Sequence, residues 1–309
     1  MKHVLSISLG SSSRDSAAEV ELLGQGFLLE RRGTDGSLER FARLMAANDG
    51  VVDCLTVGGT NLGLHCGGRY YRFRDIGKAT RGVTRTPLVD GAGLKNTLER
   101  RTLHWLQERG MVDFATANVL LTCGIDRFGL AETLDEMGTN VLFGDTLFIL
   151  GLPWALPSLG ALQTLGKTLL PLVTRLPFKW VYPTGDKQDE IVPKYEGLYE
   201  WADVIAGDFH YIRRHMPDGL GGKVILTNTI TTEDVTELRA RGVRLLITST
   251  PVIGNRTFAT NVLQGAFVCL LGRRPEEIGP EDYQRIADEI GWEPTVRNLS
   301  ETAEGEHSE

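Results

Sequence analysis

Apolar and polar positions change period along the chain, and the changes mark its elements. His3 to Leu9 alternates, as a strand does. Residues 19–23 and 27–31 are two apolar-rich runs around Gly24-Gln25-Gly26, a hairpin signal. Asp35-Gly36-Ser37 opens a helix with Leu38, Phe41, Leu44 and Met45 on one face. Val52 to Val57 is a further strand, and Leu62–Cys66 and Arg69–Phe73 flank the two-residue turn Gly67-Gly68. These signals predict an α+β domain with antiparallel hairpins over residues 1–115. Within it, Thr86 to Asp90 is a strand. Gly91-Ala92-Gly93 leads into a helix that Gly110 stops, and this helix is expected to lead from one domain to the next. From Ala117 the pattern changes. Apolar runs at 118–123, 141–143, 180–182, 203–206, 223–227 and 244–248 alternate with helical spacing at 130–137, 193–201, 209–216, 232–241 and 258–271. Strands alternating with helices predict a Rossmann-like parallel sheet, here over residues 116–275. A last helix, 281–290, and a disordered acidic tail are expected within 276–309. The fold class is α/β.

Composition narrows the function. The 309 residues carry a net charge of −7, which excludes wholesale nucleic-acid binding. Residues 276–309 hold eleven acids against Arg285 and Arg297, whereas 69–109 hold ten Lys/Arg against four acids. Cys54, Cys66, Cys123 and Cys269 form no C-x-x-C and no zinc spacing, so no metal centre is expected. MKHVLSISLG reads as a strand rather than a signal peptide, and a reducing, cytoplasmic setting follows. Residues 146–166 carry no charge, the length of a membrane span. Pro153 and Pro157 interrupt them, which favours a buried helix-loop-helix or a homo-oligomer contact over a membrane span.

The candidate chemistry gathers around Ala117 to Asp145. A strand leads into a turn bracketed by Gly124 and Gly129, then a helix, then a second strand ending at Asp145. Backbone N–H groups at such a turn attract anions. Asp145 follows Gly124 by 21 residues, near where a dinucleotide fold places the acid for the ribose hydroxyls. The usual G-x-G-x-x-G is absent. Five strand ends carry small or polar residues: Cys123–Arg127, Gly144-Asp145, Gly207–His210, Thr227–Thr229 and Thr248–Pro251. Gly124, Arg127, Gly129, Asp145, Thr227, Asn228, Thr248 and Thr250 are therefore candidate cofactor contacts. Lys95 stands in the first turn of a helix, where a cation is disfavoured. With Asp90 or Asp126 it is the candidate acid–base group, and Asn96 a substrate contact. The alternative for Lys95 is a surface pairing with Glu99. Asp208 and His210 either hold substrate and relay a proton, or are a helix cap and a surface histidine. Lys187, Asp189, Glu190 and Lys194 read as a solvated face or lid. A rival reading places phosphoryl transfer in the first domain, with Asp15, Asp35 and Asp90 holding magnesium behind Gly10–Ser13 and Gly58–Thr60.

At LVDGAGLKNTLERR, CGIDRFGLAETL, NVLFGDTLFILGLP, ADVIAGDFHYIRRHMP and KVILTNTITTEDVTELRARGVRLLITSTP the chain resembles a bacterial family labelled quinate 5-dehydrogenase. The resemblance implies oxidation of a ring hydroxyl of quinate to a ketone, with hydride passing to NAD or NADP. The site is expected in the cleft between the two domains, with a small hydroxy-acid as substrate. A non-catalytic small-molecule or nucleotide sensor on the same fold is the alternative of a different class.

Overall fold

The computed structural model describes residues 1–177, 191–250, 252–253 and 256–300. The expected strand 180–182, the charged loop 187–190, Pro251 and the end of the acidic tail lie outside the described residues. The chain divides into two compact units built from discontinuous stretches. Unit 1 takes Met1–Leu98, a stretch from Leu165 and Val252–Trp292. Unit 2 takes Glu99–Thr164, a middle stretch ending before Val252 and a last one from Glu293. One point of division falls within helix α3 (Ala92–Glu108), and another within α5 (Leu159–Val173).

In unit 1, β1 (Lys2–Ser8) is the centre of a five-stranded sheet. Its neighbours are β3 (Gln25–Gly33) and β4 (Cys54–Gly58), with β2 (Ser16–Leu22) and β7 (Leu88–Val89) at the edges. The expected hairpin is there: β2 pairs antiparallel with β3 through Leu23 and Gly24, both at positive φ. The second hairpin, β5 (Gly63–Cys66) with β6 (Arg69–Arg72), forms its own two-stranded sheet. The other pairings of the main sheet are parallel. The alternation in β1 sorts two buried faces rather than a core and a solvent face. Leu5, Ile7 and Leu9 pack with Phe41 and Met45 of α1 (Leu38–Ala47), near α2 (Arg74–Ala79). Val4 packs with Val262 and Ala266 of a later helix, Thr260–Leu271. The small polar residues Ser6 and Thr56 are buried there because Asn261 donates to both hydroxyl oxygens, at 2.8 and 2.9 Å.

Unit 2 is a Rossmann-like, doubly wound sheet. Its strands are β8 (Asn118–Leu121), β9 (Asn140–Phe143), β10 (Val204–Ala206), β11 (Val224–Thr227), β12 (Leu245–Thr248) and β15 (Thr295–Asn298). The spatial order is β9-β8-β10-β11-β12-β15. All pairings are parallel except that of β15, an edge strand antiparallel to β12. The intervening hairpin of β13 (Val252–Ile253) and β14 (Arg256–Thr257) belongs to unit 1. β15 lies between the expected last helix, 281–290, and the tail expected from Leu299. Its sequence, TVRN, is too short and polar to show an apolar period, but its backbone closes the edge of the sheet. The central strands β10 and β11 are short and buried throughout, as strands covered on both faces are. The helices of unit 2 are α4 (Phe128–Glu136), α6 (Glu196–Trp201), α7 (Phe209–His215) and α8 (Thr232–Ala240). Ile205, Ile225 and Leu246 of the sheet share one core with Tyr199, Ile212 and Leu238 of α6, α7 and α8. A reciprocal cap at Thr231 and Asp234 starts α8, and Gly242 at positive φ follows it. The helix Thr260–Leu271 is α9 and Pro280–Glu289 is α10, both in unit 1.

The uncharged segment begins with a π-helical turn, Asp145–Ile149, that buries Leu147 and Phe148. It then exposes Ile149, Leu150, Leu152 and Trp154. No helix among the described residues is long and apolar enough to cross a membrane.

Candidate functional site

The first strand of unit 2 leads the chain to β9 on one side, and the rest of the sheet grows on the other. In such a sheet, ligands gather where the strand order reverses, outside the carboxyl ends of β8 and β10. The turn Thr122–Arg127 and the segment Gly207–Phe209 meet there. Gly207 has φ +138°, and a Cβ on it would fall 2.1 Å from Thr122 Oγ1. Only glycine lets the two strand ends close in this way. The Asp208 N–H donates to Cys123 Sγ at 3.3 Å. Burial pushes the Cys123 thiol up to about 12, so it stays protonated, packs and accepts.

Asp145 decides what the turn can bind. Its side chain is buried, and its two oxygens accept the backbone N–H groups of Gly124 at 2.8 Å and Ile125 at 2.9 Å. Burial pushes the carboxyl up to about 6, against the opposing pull of those two donors. Asp145 was expected to face ribose hydroxyls, and Gly124 to seat a pyrophosphate. Instead the carboxylate is the anion on this turn. The π-helical turn that begins at Asp145, anchored by buried Phe148, carries the side chain inward.

Arg127 is buried as well and pairs with buried Glu99 from the middle of α3. Its other terminal nitrogen lies 3.6 Å from an oxygen of Asp208, whose side chain is partly exposed. Burial works against the guanidinium charge, but Glu99, then Cys123 and Asp208, outweigh it and hold Arg127 protonated. Arg127, a candidate cofactor contact, is thus committed to an internal ion pair. Asp208 caps α7 by accepting the His210 N–H at 3.0 Å, and the His210 side chain is exposed. This is the cap reading of that pair. Gly129 lies in α4 and its carbonyl accepts from Thr133.

Farther along the same edge, the Thr227 hydroxyl donates to the Asn228 side-chain oxygen at 3.3 Å. Thr248 ends β12 and is half-buried. Thr250 is buried, and its hydroxyl has no hydrogen-bond partner among the described residues; nor does Arg127 Nε. In unit 1, Asp90 accepts the N–H groups of Leu62 at 2.7 Å and Ala92 at 3.0 Å at the start of α3. Lys95 and Asn96 follow in the first turn, both half-buried. The three aspartates of the magnesium reading are each committed elsewhere. Asp15 accepts from Gly33 and pairs with Arg31, Asp35 accepts from Ser12 and pairs with Arg40, and Asp90 is held as above. No group of three His, Cys, Asp or Glu side chains that could hold a metal occurs among the described residues.

The chain belongs to the family described as Domain of unknown function (DUF8754). That family's model matches residues 93–299, and residues 3–90 match Domain of unknown function (DUF8753). No curated protein matches the chain. Similar solved structures include glutamate dehydrogenase from Thermus thermophilus, 14% identical over 94% of this chain and 74% of that one, with a TM-score of 0.43. They also include a periplasmic ribose ABC transporter from Conexibacter woesei, 9% identical over 94% and 96%, TM-score 0.38. A sugar ABC transport substrate-binding protein from Bordetella parapertussis is 11% identical over 99% and 92%, TM-score 0.38. Dehydrogenases and sugar-binding proteins thus stand side by side among these distant likenesses, which carry no argument about the function of this chain.

Sequence reading passed over two residues of this site. Glu99 was assigned only as a surface partner of Lys95. Its signal was weak: an acid amid the basic run 69–109, in a helix whose other apolar positions were evident. Thr122, locked against Gly207, left no signal beyond its place next to a glycine turn.

Proposed function

We propose that the protein binds a small, hydroxyl-rich organic molecule at the carboxyl edge of the unit 2 sheet. The observation that carries this reading is the seating of Asp145 on Gly124 and Ile125. With those N–H groups taken by Asp145 and Arg127 paired with Glu99 and Asp208, neither the Gly124–Ile125 turn nor Arg127 is left to seat a phosphate. What remains are hydroxyls, an amide and the partly exposed Asp208 carboxylate, partners for a polyol or hydroxy-acid. The buried Thr250 hydroxyl, without a partner among the described residues, supports the same reading, because such a group gains most from a ligand. A thermal-shift screen tests it. Polyols and hydroxy-acids such as quinate are expected to raise the melting temperature. NAD or NADP raising it while these do not would overturn the reading.

The second reading is an NAD(P)-dependent oxidoreductase of the quinate 5-dehydrogenase type. It is favoured by Asp90, Lys95 and Asn96 standing together at the start of α3 in unit 1. Lys95 would exchange the proton of the substrate hydroxyl. The residues expected to hold the dinucleotide, Gly124 and Asp145, do not fit it, so no hydride step is derived. Formation of reduced nicotinamide from quinate and NAD or NADP tests this reading, and its absence with both cofactors removes it. All four cysteines are free, which favours the reducing, cytoplasmic setting. Self-association through Ile149, Leu150, Leu152 and Trp154 is the partner proposed for that exposed surface. Sedimentation of the wild type as a monomer at high concentration would rule it out.

A further inference from the structure

Unit 1 carries a pair of thiols that the site in unit 2 does not use. Cys54 opens β4 and is fully buried, whereas Cys269 lies in the last turn of α9 and is partly exposed. Both belong to one apolar cluster between sheet and helix. The helix comes very close to the sheet at Gly265. A Cβ there would fall 2.6 Å from Val4 Cγ1, 2.8 Å from Thr56 Cγ2 and 3.4 Å from Cys54 Sγ. Cys269 is four residues beyond Gly265, on the same face of the helix. Its side chain packs against the cluster that holds Cys54, whose own Sγ donates to the Pro87 carbonyl at 3.5 Å. The neighbouring Cys269, and burial after it, hold the Cys54 thiol well above its ordinary value. Cys269, the partly exposed member of the two, is the thiol a peroxide reaches first.

We propose that Cys269 and Cys54 form a reversible disulfide in response to hydrogen peroxide, with Cys269 attacked first and Cys54 resolving. The Cys269 thiolate attacks one peroxide oxygen. An S–O bond forms, the O–O bond breaks, and the departing hydroxide takes a proton to become water. The Cys54 sulfur, giving up its proton, then attacks the Cys269 sulfur. The S–S bond forms, the S–O bond breaks, and a second water leaves. The two thiols lose two electrons and two protons, and one peroxide is reduced to two waters. A small thiol reductant such as glutathione reverses the bond by exchange. The bond would staple α9, which returns to unit 1 from late in the sequence, onto β4. Cross-links of distant residues remove freedom from the unfolded chain.

The test uses the full-length wild-type protein with hydrogen peroxide in small excess, followed by peptide mass spectrometry without reductant. The expected result is a cross-linked Cys54–Cys269 peptide pair, loss of two of the four free thiols, and recovery of both by dithiothreitol. Cys54→Ser should leave Cys269 as a sulfenic acid that dimedone traps. Cys269→Ser should abolish the cross-link. Cys269 left unmodified, or oxidised to sulfinic acid in the wild type without the cross-link, overturns the proposal. So does a bridge that uses Cys66 or Cys123. The decisive readout is on the wild type, so it does not depend on either variant folding.

Discussion

Replacing Asp145 with asparagine separates an internal anion from an open anion seat. In the folded protein the carboxyl titrates at about 6, above its ordinary value of 3.8. An acid raised in this way binds its proton more tightly folded than unfolded. Its stabilising contribution is therefore complete below about pH 3.8 and is lost as pH rises through 6. A rise of about two pH units at about 1.4 kcal/mol each gives a loss of about 3 kcal/mol. Asparagine does not titrate. Its amide accepts one of the two N–H donors and turns its own donors on the other, at a cost of about 1–3 kcal/mol at any pH. The variant is therefore expected to be less stable than the wild type by about 1–3 kcal/mol near pH 4, and close to it, or slightly above, near pH 8. Urea unfolding of both proteins across that range gives the difference curve, in which all other groups cancel. A flat curve, or one in which the wild type gains on the variant as pH rises, refutes the reasoning. It would mean that the two donors outweigh burial, or that the carboxylate is open to water.

Truncation of Arg127 to alanine leaves Glu99 charged and buried and should cost about 3–5 kcal/mol in urea unfolding, whereas Arg127→Met with Glu99→Leu should recover most of it. An equal loss in the double variant would show that the pair is not a unit. Thr250→Val removes a buried hydroxyl that has no partner among the described residues, so it should keep or raise stability by about 1 kcal/mol while weakening ligand binding; a clear loss of stability would mean the hydroxyl is satisfied. Gly207→Ala should cost about 2–4 kcal/mol, because its Cβ meets Thr122 and its φ is positive. A neutral outcome there would contradict the close approach of the two strand ends.

Much of the fold was legible. The alternation of short apolar runs with helical spacing gave the parallel sheet of unit 2, and the glycine pairs gave the hairpins of unit 1. The spacing from Gly124 to Asp145 also brought those two residues together, because a βαβ unit of that length must. What spacing does not carry is the direction of a side chain. The same separation serves an acid that faces a ribose and one that folds back onto the turn, and the π-helical turn with Phe148 makes the difference. The helix 258–271 posed a similar problem. It is apolar all round, so its pattern fits a cover for either sheet. Its place on β1 and β4 rests on Gly265 and on Asn261 bonding to Ser6 and Thr56, residues more than two hundred positions away. Discontinuous units of this kind leave no mark in local periodicity. The edge strand 295–298 was hidden for a simpler reason: four polar-rich residues define no period.

Calorimetric titration of the wild type with quinate, with ribose, and with NAD and NADP tests the central claim most directly. That claim is that the unit 2 edge, its anion seat filled by Asp145, takes a hydroxyl-rich molecule. The expected result is saturable heat with at least one of the two hydroxyl-rich ligands, weakened by Thr250→Val, and none with either dinucleotide. Saturable binding of NAD or NADP that Thr250→Val weakens, with neither quinate nor ribose binding, would contradict it.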